Sequence, residues 1–430
     1  MSPDTIFALA SGSARAAIAV MRVSGPAAAS AVAALCGGTL PAPRHASLRR
    51  LRDPSGAVLD HALVLWFPGP NTYSGEDCAE LHLHGGRAVI DGVALALIEG
   101  GLRPAEPGEF TRRAFLNGRM DLVEAEAVHD LVAAETEAQR RQALRQLEGA
   151  LGALYQDWGD RLRGILAYQE ALIDFPDEDL PPEVEEQLLA TLRAVHAEIR
   201  AHLDDGGRGE KLREGLFFAI TGAPNVGKST LINALAERDV AIVSDIPGTT
   251  RDALETRIVL GGVPVTLVDT AGLREATDSI EAEGVRRALA RAADADLVMA
   301  VVEAGSLYDP VPAAGSLLIA NKADLGVRGP AGAVRISAKT GLGMDELRAR
   351  LAEAARRMTE ASGPPPLTRA RHRAALLAAA EHLDAAEQAD LPELRGEDLR
   401  LAMRALGRIT GHVGVEDILD TVFSKFCIGK

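Results

Sequence analysis

Cysteine is scarce in this chain of 430 residues: Cys36, Cys78 and Cys427 are the only three. They are too few and too scattered for a disulfide framework, so a reducing compartment is the expected setting. Aromatic residues make up 3%, which excludes a long surface of stacked bases. No apolar run reaches the ~18 residues needed to span a bilayer, so no membrane association and a cytoplasmic location are expected. Excess positive charge is missing as well. The formal net charge is −15, which argues against coating nucleic acid by charge alone. What is present is ample core material, 47% hydrophobic residues, in a chain long enough for about three domains.

Two segments imitate targeting signals. Ala27–Leu35 is apolar enough for a signal core, but it follows Ser24-Gly25-Pro26 and reads as a capped helix with proline in its first turn. The ending Cys427-Ile428-Gly429-Lys430 places a cysteine four from the end, yet Gly429 and Lys430 do not suit a prenylation box.

Charge divides the chain. Residues 1–118 are net neutral, 119–213 carry −10, 214–360 carry −4 and 361–430 carry −1. Two thirds of the excess thus sits in the second segment, where Leu144, Leu147, Leu151, Leu154, Trp158, Leu162 and Ile165 recur at helical steps and predict one apolar stripe. The acidic face opposite it is either solvated or a dock for a basic partner. In the first segment, strand-like runs at Ala17–Val23, Ala62–Phe67 and Cys78–Leu83 alternate with helical stretches at Ala27–Leu35 and Ala88–Ile98, predicting a small α+β domain. Runs at Leu216–Thr221, Val263–Asp269, Leu297–Val302 and Leu317–Ala320 alternate with helical ones and predict a mostly parallel α/β sheet. Ser362-Gly-Pro-Pro-Pro366 reads as a stiff linker, with helices expected at Arg369–Ala389 and Asp398–Ile409. The expected organisation is an N-terminal α+β domain (1–118), a split helical bundle (119–213 and 361–430) and an inserted P-loop domain (214–360).

The inserted segment carries the chemistry. Gly222-Ala-Pro-Asn225-Val226-Gly227-Lys228-Ser229-Thr230 is a complete phosphate-binding loop, set between a strand and a helix. Its glycines let backbone N–H groups curl round phosphate oxygens, Lys228 supplies charge to the outer phosphates, and the Ser229 hydroxyl suits Mg2+. Asp269-Thr270-Ala271-Gly272 supplies a metal-side carboxylate and an amide that senses the γ-phosphate. Asn321-Lys322-Ala-Asp324 presents a carboxylate that accepts both N–H donors of guanine, and Ser337-Ala338-Lys339 supplies donors to the guanine carbonyl. Gly248-Thr249-Thr250-Arg251-Asp252 offers a threonine to Mg2+ and the γ-phosphate. Five motifs, in the chain order 222–230, 248–252, 269–272, 321–324 and 337–339, predict GTP binding.

Small signalling GTPases place a glutamine after the third motif to orient the attacking water. Here that position is Leu273, whose side chain can neither donate nor accept a hydrogen bond. Glu275, Asp278, Glu281 and Glu283 are candidates to orient the water, and Arg251 and Arg274 are in the area for charge neutralisation. Asn225 can instead hold a monovalent cation beside the phosphates. Only about 13 residues separate the third and fourth strand runs, so the helix between them is expected to be a stub.

These motifs resemble the tRNA uridine-modification GTPases, the MnmE (TrmE) family. The likeness also rests on Pro68-Gly-Pro-Asn71, Gly75-Glu-Asp77, Pro107–Asn117, Asp121–Glu126, Ile173–Asp177, Asp245–Asp252 and Phe426–Lys430. It implies a homodimer joined through the N-terminal domains, with G domains that approach each other in a potassium-dependent way. It implies an FAD-dependent partner, MnmG, in a heterotetramer-like complex, and tRNA as substrate. Together the two would add an aminomethyl or carboxymethylaminomethyl group to C5 of the wobble uridine, using 5-formyltetrahydrofolate or a related tetrahydrofolate. By position, Asn225, Ser244, Ile246 and Thr249 would surround K+, with Asp245, Pro247 and Gly248 in the same nucleotide-binding segment. Ser229 and Thr250 would hold Mg2+, and Glu281 would orient the water. Arg22, Glu80, Arg119 and Lys430 would bind the folate.

This sequence departs from the family where Ala16 and Ala17 replace glycines ahead of Arg22. Cys427 is open to a catalytic or a packing role, and Glu80, His82 and His84 to a folate-pocket, structural or metal role. A ribosome-assembly GTPase is the competing reading; such a switch has no need of residues 1–118 or of the terminal tail.

Overall fold

A computed structural model describes residues 4–12, 16–174, 182–237, 255–269, 295–305, 315–327, 329–360, 363–414 and 416–429. The chain forms two compact units. One comprises Met1–His129, Gln146–Arg163 and Arg400–Lys430; the other comprises Asp130–Arg145 and Gly164–Leu399.

The first unit is built on a six-stranded sheet. Its strands are β1 (Ile6–Leu9), β2 (Ile18–Ser24), β3 (Ser47–Arg52), β4 (Val58–Phe67), β5 (Cys78–His84) and β6 (Arg103–Pro104), in the order β3-β4-β5-β2-β1-β6. All neighbours are antiparallel except β1 and β6. Alternation along the strands sends Met21, Val23, Val64, Leu81 and Leu83 to one face, where they pack with α1 (Ala28–Leu35) and α2 (Arg87–Glu99). On the other face Ile6 and Ala8 meet Phe110 and Tyr73. Phe110 belongs to α3 (Glu109–Leu116).

The expected cap of α1 is corrected. Ser24 and Pro26 precede the helix, whose N-cap is Ala27, and the Ala27 N–H donates to Thr5 Oγ1 instead (2.7 Å). Ser24 is engaged elsewhere, donating to Glu76 and sharing a hydrogen bond with Ser74.

The single apolar stripe is also corrected. Leu144 and Leu147 end α5 (Glu137–Leu147), whereas Leu151 to Ile165 lie on α6 (Ala150–Asp174). Gly149 takes a φ of 81° between them, a left-handed conformation that ends the first helix. Asp121 caps α4 (Leu122–Ala133): its carboxylate accepts the Glu124 N–H at 2.7 Å, and Glu124 accepts the Asp121 N–H at 2.8 Å. This reciprocal pair is a capping box, which accounts for the acidic spacing of Asp121–Glu126.

The second unit contains α7 (Pro182–Leu203), α8 (Arg208–Glu214) and a six-stranded sheet. Its strands are β7 (Leu216–Thr221), β8 (Glu255–Leu260), β9 (Val263–Asp269), β10 (Leu297–Glu303), β11 (Leu317–Asn321) and β12 (Val334–Arg335), ordered β12-β11-β10-β7-β9-β8. Every pairing is parallel except that of β8 with β9. The expectation did not include β8. Gly261 and Gly262, with φ of 61° and 86°, join it to β9, as a two-residue hairpin requires.

A core of Phe218, Ile220, Leu231, Val265, Leu267, Met299, Ile319 and Leu347 joins this sheet to α9 (Lys228–Ala236) and α10 (Met344–Thr359). Then α11 (Ala370–Gln388) packs along α7. The last long helix, α12, spans Pro392–Thr410, six residues ahead of the expected start, because proline is well suited to a first helical position. Finally α13 covers Glu416–Phe423. The segment between β10 and β11, expected to hold a stub helix, lies mostly outside the described residues. No described helix is long and apolar enough to cross a membrane.

Candidate nucleotide site

Parallel strands β7, β9, β10 and β11 all end on one edge of the sheet, where open α/β sheets bind ligands. The loop after β7 is shaped by backbone contacts. Gly222 has a φ of 149°, and a Cβ there would lie 2.2 Å from the Val301 carbonyl oxygen. At Gly227 a Cβ would lie 2.3 Å from Asn321 Nδ2. Neither position admits a side chain. Asn225 adopts a left-handed φ of 61° and is exposed, a conformation asparagine tolerates better than most residues.

Lys228 is the first residue of α9 and is 6% exposed. Its Nζ donates to the carbonyls of Gly222 (3.1 Å) and Ala223 (3.0 Å), which centres the charge in the curl of the loop. Ser229 Oγ donates to Asp269 Oδ2 at 3.3 Å. The phosphate-loop hydroxyl and the carboxylate after β9 therefore converge, and oxygen donors of this kind suit a hard divalent cation. Val226 is buried, and Thr230 is exposed one residue beyond Ser229.

Asn321 joins the loops together. At 3% exposure, its Nδ2 donates to the Val226 carbonyl (2.8 Å), and its Oδ1 accepts the Ala338 N–H (3.0 Å). One side chain thus ties the phosphate loop to the Ser337–Lys339 loop. Sequence reading had given Asn321 only a place in its motif; the tie follows from the end of β11 lying beside β7's loop. Lys322 has a φ of 64°, and its Nζ meets Glu303 at 2.9 Å. Asp324 stands exposed on a short turn, Ala323–Leu325. Ser337 is 1% exposed, and its Oγ accepts the Thr340 N–H at 3.2 Å.

Ser244, Asp245, Ile246, Pro247, Gly248, Thr249, Thr250, Thr270, Ala271, Gly272 and Glu281 lie outside the described residues. So do Arg251, Leu273, Arg274, Glu275, Asp278, Glu283 and Lys430.

In the first unit, Arg22 and Glu80 face each other on β2 and β5 and pair at 2.9 Å. The Arg22 guanidinium stacks over Tyr73 (5.2 Å) and Phe110 (5.8 Å), a cation–π arrangement absent from the expected set. Arg119 lines a different cleft, with Asp121, Glu124, Gly411 and His412. Burial pushes the Asp121 carboxyl up to about 6, and the nearby Glu124 charge adds to this. His82 lies 3.6 Å from Glu80, while His84 turns to Asp60 at 2.7 Å. Among the described residues no three His, Cys, Asp or Glu are placed to hold a metal ion.

The Pro107–Asn117 stretch, which sequence reading noted only as a motif, supplies a charged cluster. Arg113 bonds Asp4, Glu76 and Glu109, and Arg103 bonds Asp4 and Glu109. The tail docks beside it. Ile428 bridges Pro107, Phe426 is buried, and Cys427 is exposed. A Cβ on Gly429 (φ 99°) would lie 2.3 Å from the Leu9 carbonyl oxygen.

A mostly parallel sheet whose phosphate loop is wired by an asparagine to a guanine-type recognition loop is a P-loop GTPase domain. The flanking regions narrow the class. The profile described as "GTP-binding protein TrmE N-terminus" matches residues 5–119, and that of the "MnmE helical domain" matches 122–427. A protein of Gluconacetobacter diazotrophicus named "tRNA modification GTPase MnmE" is 63% identical over 99% of this chain and 98% of its own length. One of the same name from Granulibacter bethesdensis is 59% identical over the whole of both chains. Among solved structures, the FeoB G-domain of Methanococcus jannaschii is 28% identical, covering 33% of this chain and 98% of its own, with a TM-score of 0.24. This chain belongs to the MnmE (TrmE) family.

Proposed function

We propose that this protein is the GTP-hydrolysing component of a tRNA-modifying system. The observation that carries the reading is the Asn321 tie, which fixes the phosphate loop and the guanine-reading loop in one frame. Mg2+ would be held by Ser229 and Thr250, and the convergence of Ser229 with Asp269 supports this. When bound, the ion would neutralise charge on the outer phosphates. Lys228 holds a fixed positive charge in the loop, where the transferring phosphoryl group needs it.

Leu273 cannot orient water. We therefore assign that role to Glu281, and the missing positive charge to K+ held by Asn225, Ser244, Ile246 and Thr249. The exposed, left-handed Asn225 beside the phosphate loop supports this. Folate would be bound by Arg22, Glu80 and Lys430, and docking of the tail near β1 favours the contribution of Lys430; Arg119, in the cleft beside Asp121 and His412, is left out of this pocket. A homodimer through the N-terminal sheet is favoured by Ile18, 61% exposed on β2, three strands away from the β3 edge. MnmG, tRNA and the wobble-uridine reaction rest on the family resemblance.

The test is GTP turnover in potassium against sodium at matched ionic strength, with and without Mg2+. Dependence on both ions is expected. Equal rates in the two alkali salts would remove the potassium assignment, and absence of GTP hydrolysis in both would overturn the reading.

A further inference from the structure

The neutral balance of residues 1–118 conceals a sharply uneven one. From Thr5 through Arg52 there is no acidic residue, while Arg15, Arg22, Arg44, Arg49, Arg50 and Arg52 all fall in that stretch. Arg22 is neutralised by Glu80. Arg44, Arg49, Arg50 and Arg52 gather on β3, an edge strand, and on the turn before it. Among the described residues none of these four makes an ion pair. The nearest carboxylates in the chain are engaged elsewhere: Asp53 accepts from Ser55 and from the Ala57 N–H, and Asp60 binds His84.

The row is not uniform: the pairing of β3 with β4 shifts register between Leu51 and Arg52. Arg44 donates to the Asn71 carbonyl and Arg52 to the Gly56 carbonyl, which leaves Arg50 the most open of the three. Arg50 and Arg52 occupy alternate positions of one strand, so their Cα atoms are about 6.6 Å apart on the same face. Arg50 is exposed and stands opposite the exposed His61 in the register. Arg44 is exposed at the start of the row, with its guanidinium 5.9 Å from the centre of the Phe67 ring.

We propose that this arginine edge is a contact surface for the phosphate backbone of a structured RNA. The inference rests on the tRNA reading above and gives it a location. Guanidinium groups bind phosphate oxygens bidentately and lose less hydration than ammonium groups. No aromatic residue lies between Arg44 and Arg52, so the surface would grip phosphates and would not read bases. The rest of the chain carries the negative excess, which repels a polyanion from other faces and steers it to this one.

The test is binding of an unmodified tRNA transcript to the full-length protein across a salt series. The variants are Arg50→Glu/Arg52→Glu and Arg50→Lys/Arg52→Lys, with GTP turnover and oligomeric state measured alongside. Losing two phosphate contacts, at about 0.9 counterions each, should lower affinity about thirtyfold at 0.15 M salt. It should also flatten the salt slope by about 1.8. The lysine pair should restore most of the slope, and GTP turnover should stay at the wild-type value in both. Equal tRNA affinity and slope in the glutamate variant would overturn the inference alone. A changed oligomeric state with unchanged tRNA affinity would overturn it in favour of a protein interface. Failure of the wild-type protein to bind tRNA would overturn both the inference and the reading beneath it.

Discussion

Replacing Asn321 with alanine should damage nucleotide affinity and domain stability together. The side chain is 3% exposed and makes two hydrogen bonds, to the Val226 carbonyl at 2.8 Å and from the Ala338 N–H at 3.0 Å. Truncation leaves both backbone groups without a protein partner. Each costs about 1–3 kcal/mol, so the pair comes to about 2–4 kcal/mol once some water reaches them. In a domain of this size each kcal/mol lowers the melting temperature by about 2–4 °C, giving a fall of roughly 4–16 °C. GTP affinity should drop at least tenfold, about 1.4 kcal/mol, because the two loops no longer share a frame. Asn321→Asp should be no milder, since it keeps the acceptor for Ala338 but sets a carboxylate oxygen against the Val226 carbonyl. The assays are thermal unfolding and titration with a fluorescent guanine nucleotide. A melting temperature and an affinity both equal to wild type would refute the reasoning.

Three further outcomes are expected. Asp324→Asn should lower GTP affinity at least tenfold, raise affinity for xanthosine triphosphate and leave the melting temperature unchanged, because Asp324 is exposed; competition binding checks this. Asp121 has its folded pKa raised from 3.8 to about 6, so the folded state binds more protons and this group's contribution to stability falls as pH rises from about 4 to 6. Asp121→Asn keeps an acceptor for the Glu124 N–H and should gain stability over wild type above pH 6 but not near pH 4, as read from urea midpoints at the two pH values. Gly429→Ala should free the tail by forcing a Cβ against Leu9, weakening folate binding in calorimetry while GTP affinity stays constant; equal folate affinity would count against a tail contribution.

The nucleotide domain was legible in the sequence because its chemistry sits in contiguous motifs. Strands β7 and β9 fall where their apolar runs predicted, and Gly222 and Gly227 are required for the backbone reasons the motif suggested. What escaped was non-local or masked by composition. The Asn321 tie depends on two loops meeting in space. Strand β8 is half polar and was overlooked, although Gly261-Gly262 is a hairpin signal. Strand β3 hides behind its arginines, and averaging charge over residues 1–118 concealed them. The α1 cap was assigned to the adjacent Ser24, whereas tertiary structure supplied Thr5, the residue just before β1. The break between α5 and α6 was missed because an apolar period can run through a glycine that the backbone uses to stop.

The most direct test of the central claim is mass spectrometry of tRNA wobble nucleosides from cells lacking this protein, complemented with wild type or with Asn321→Ala. The account predicts loss of the C5-substituted wobble uridines, their return with wild type, and little return with the variant. Unchanged nucleosides in the deletion strain would contradict the tRNA-modification reading.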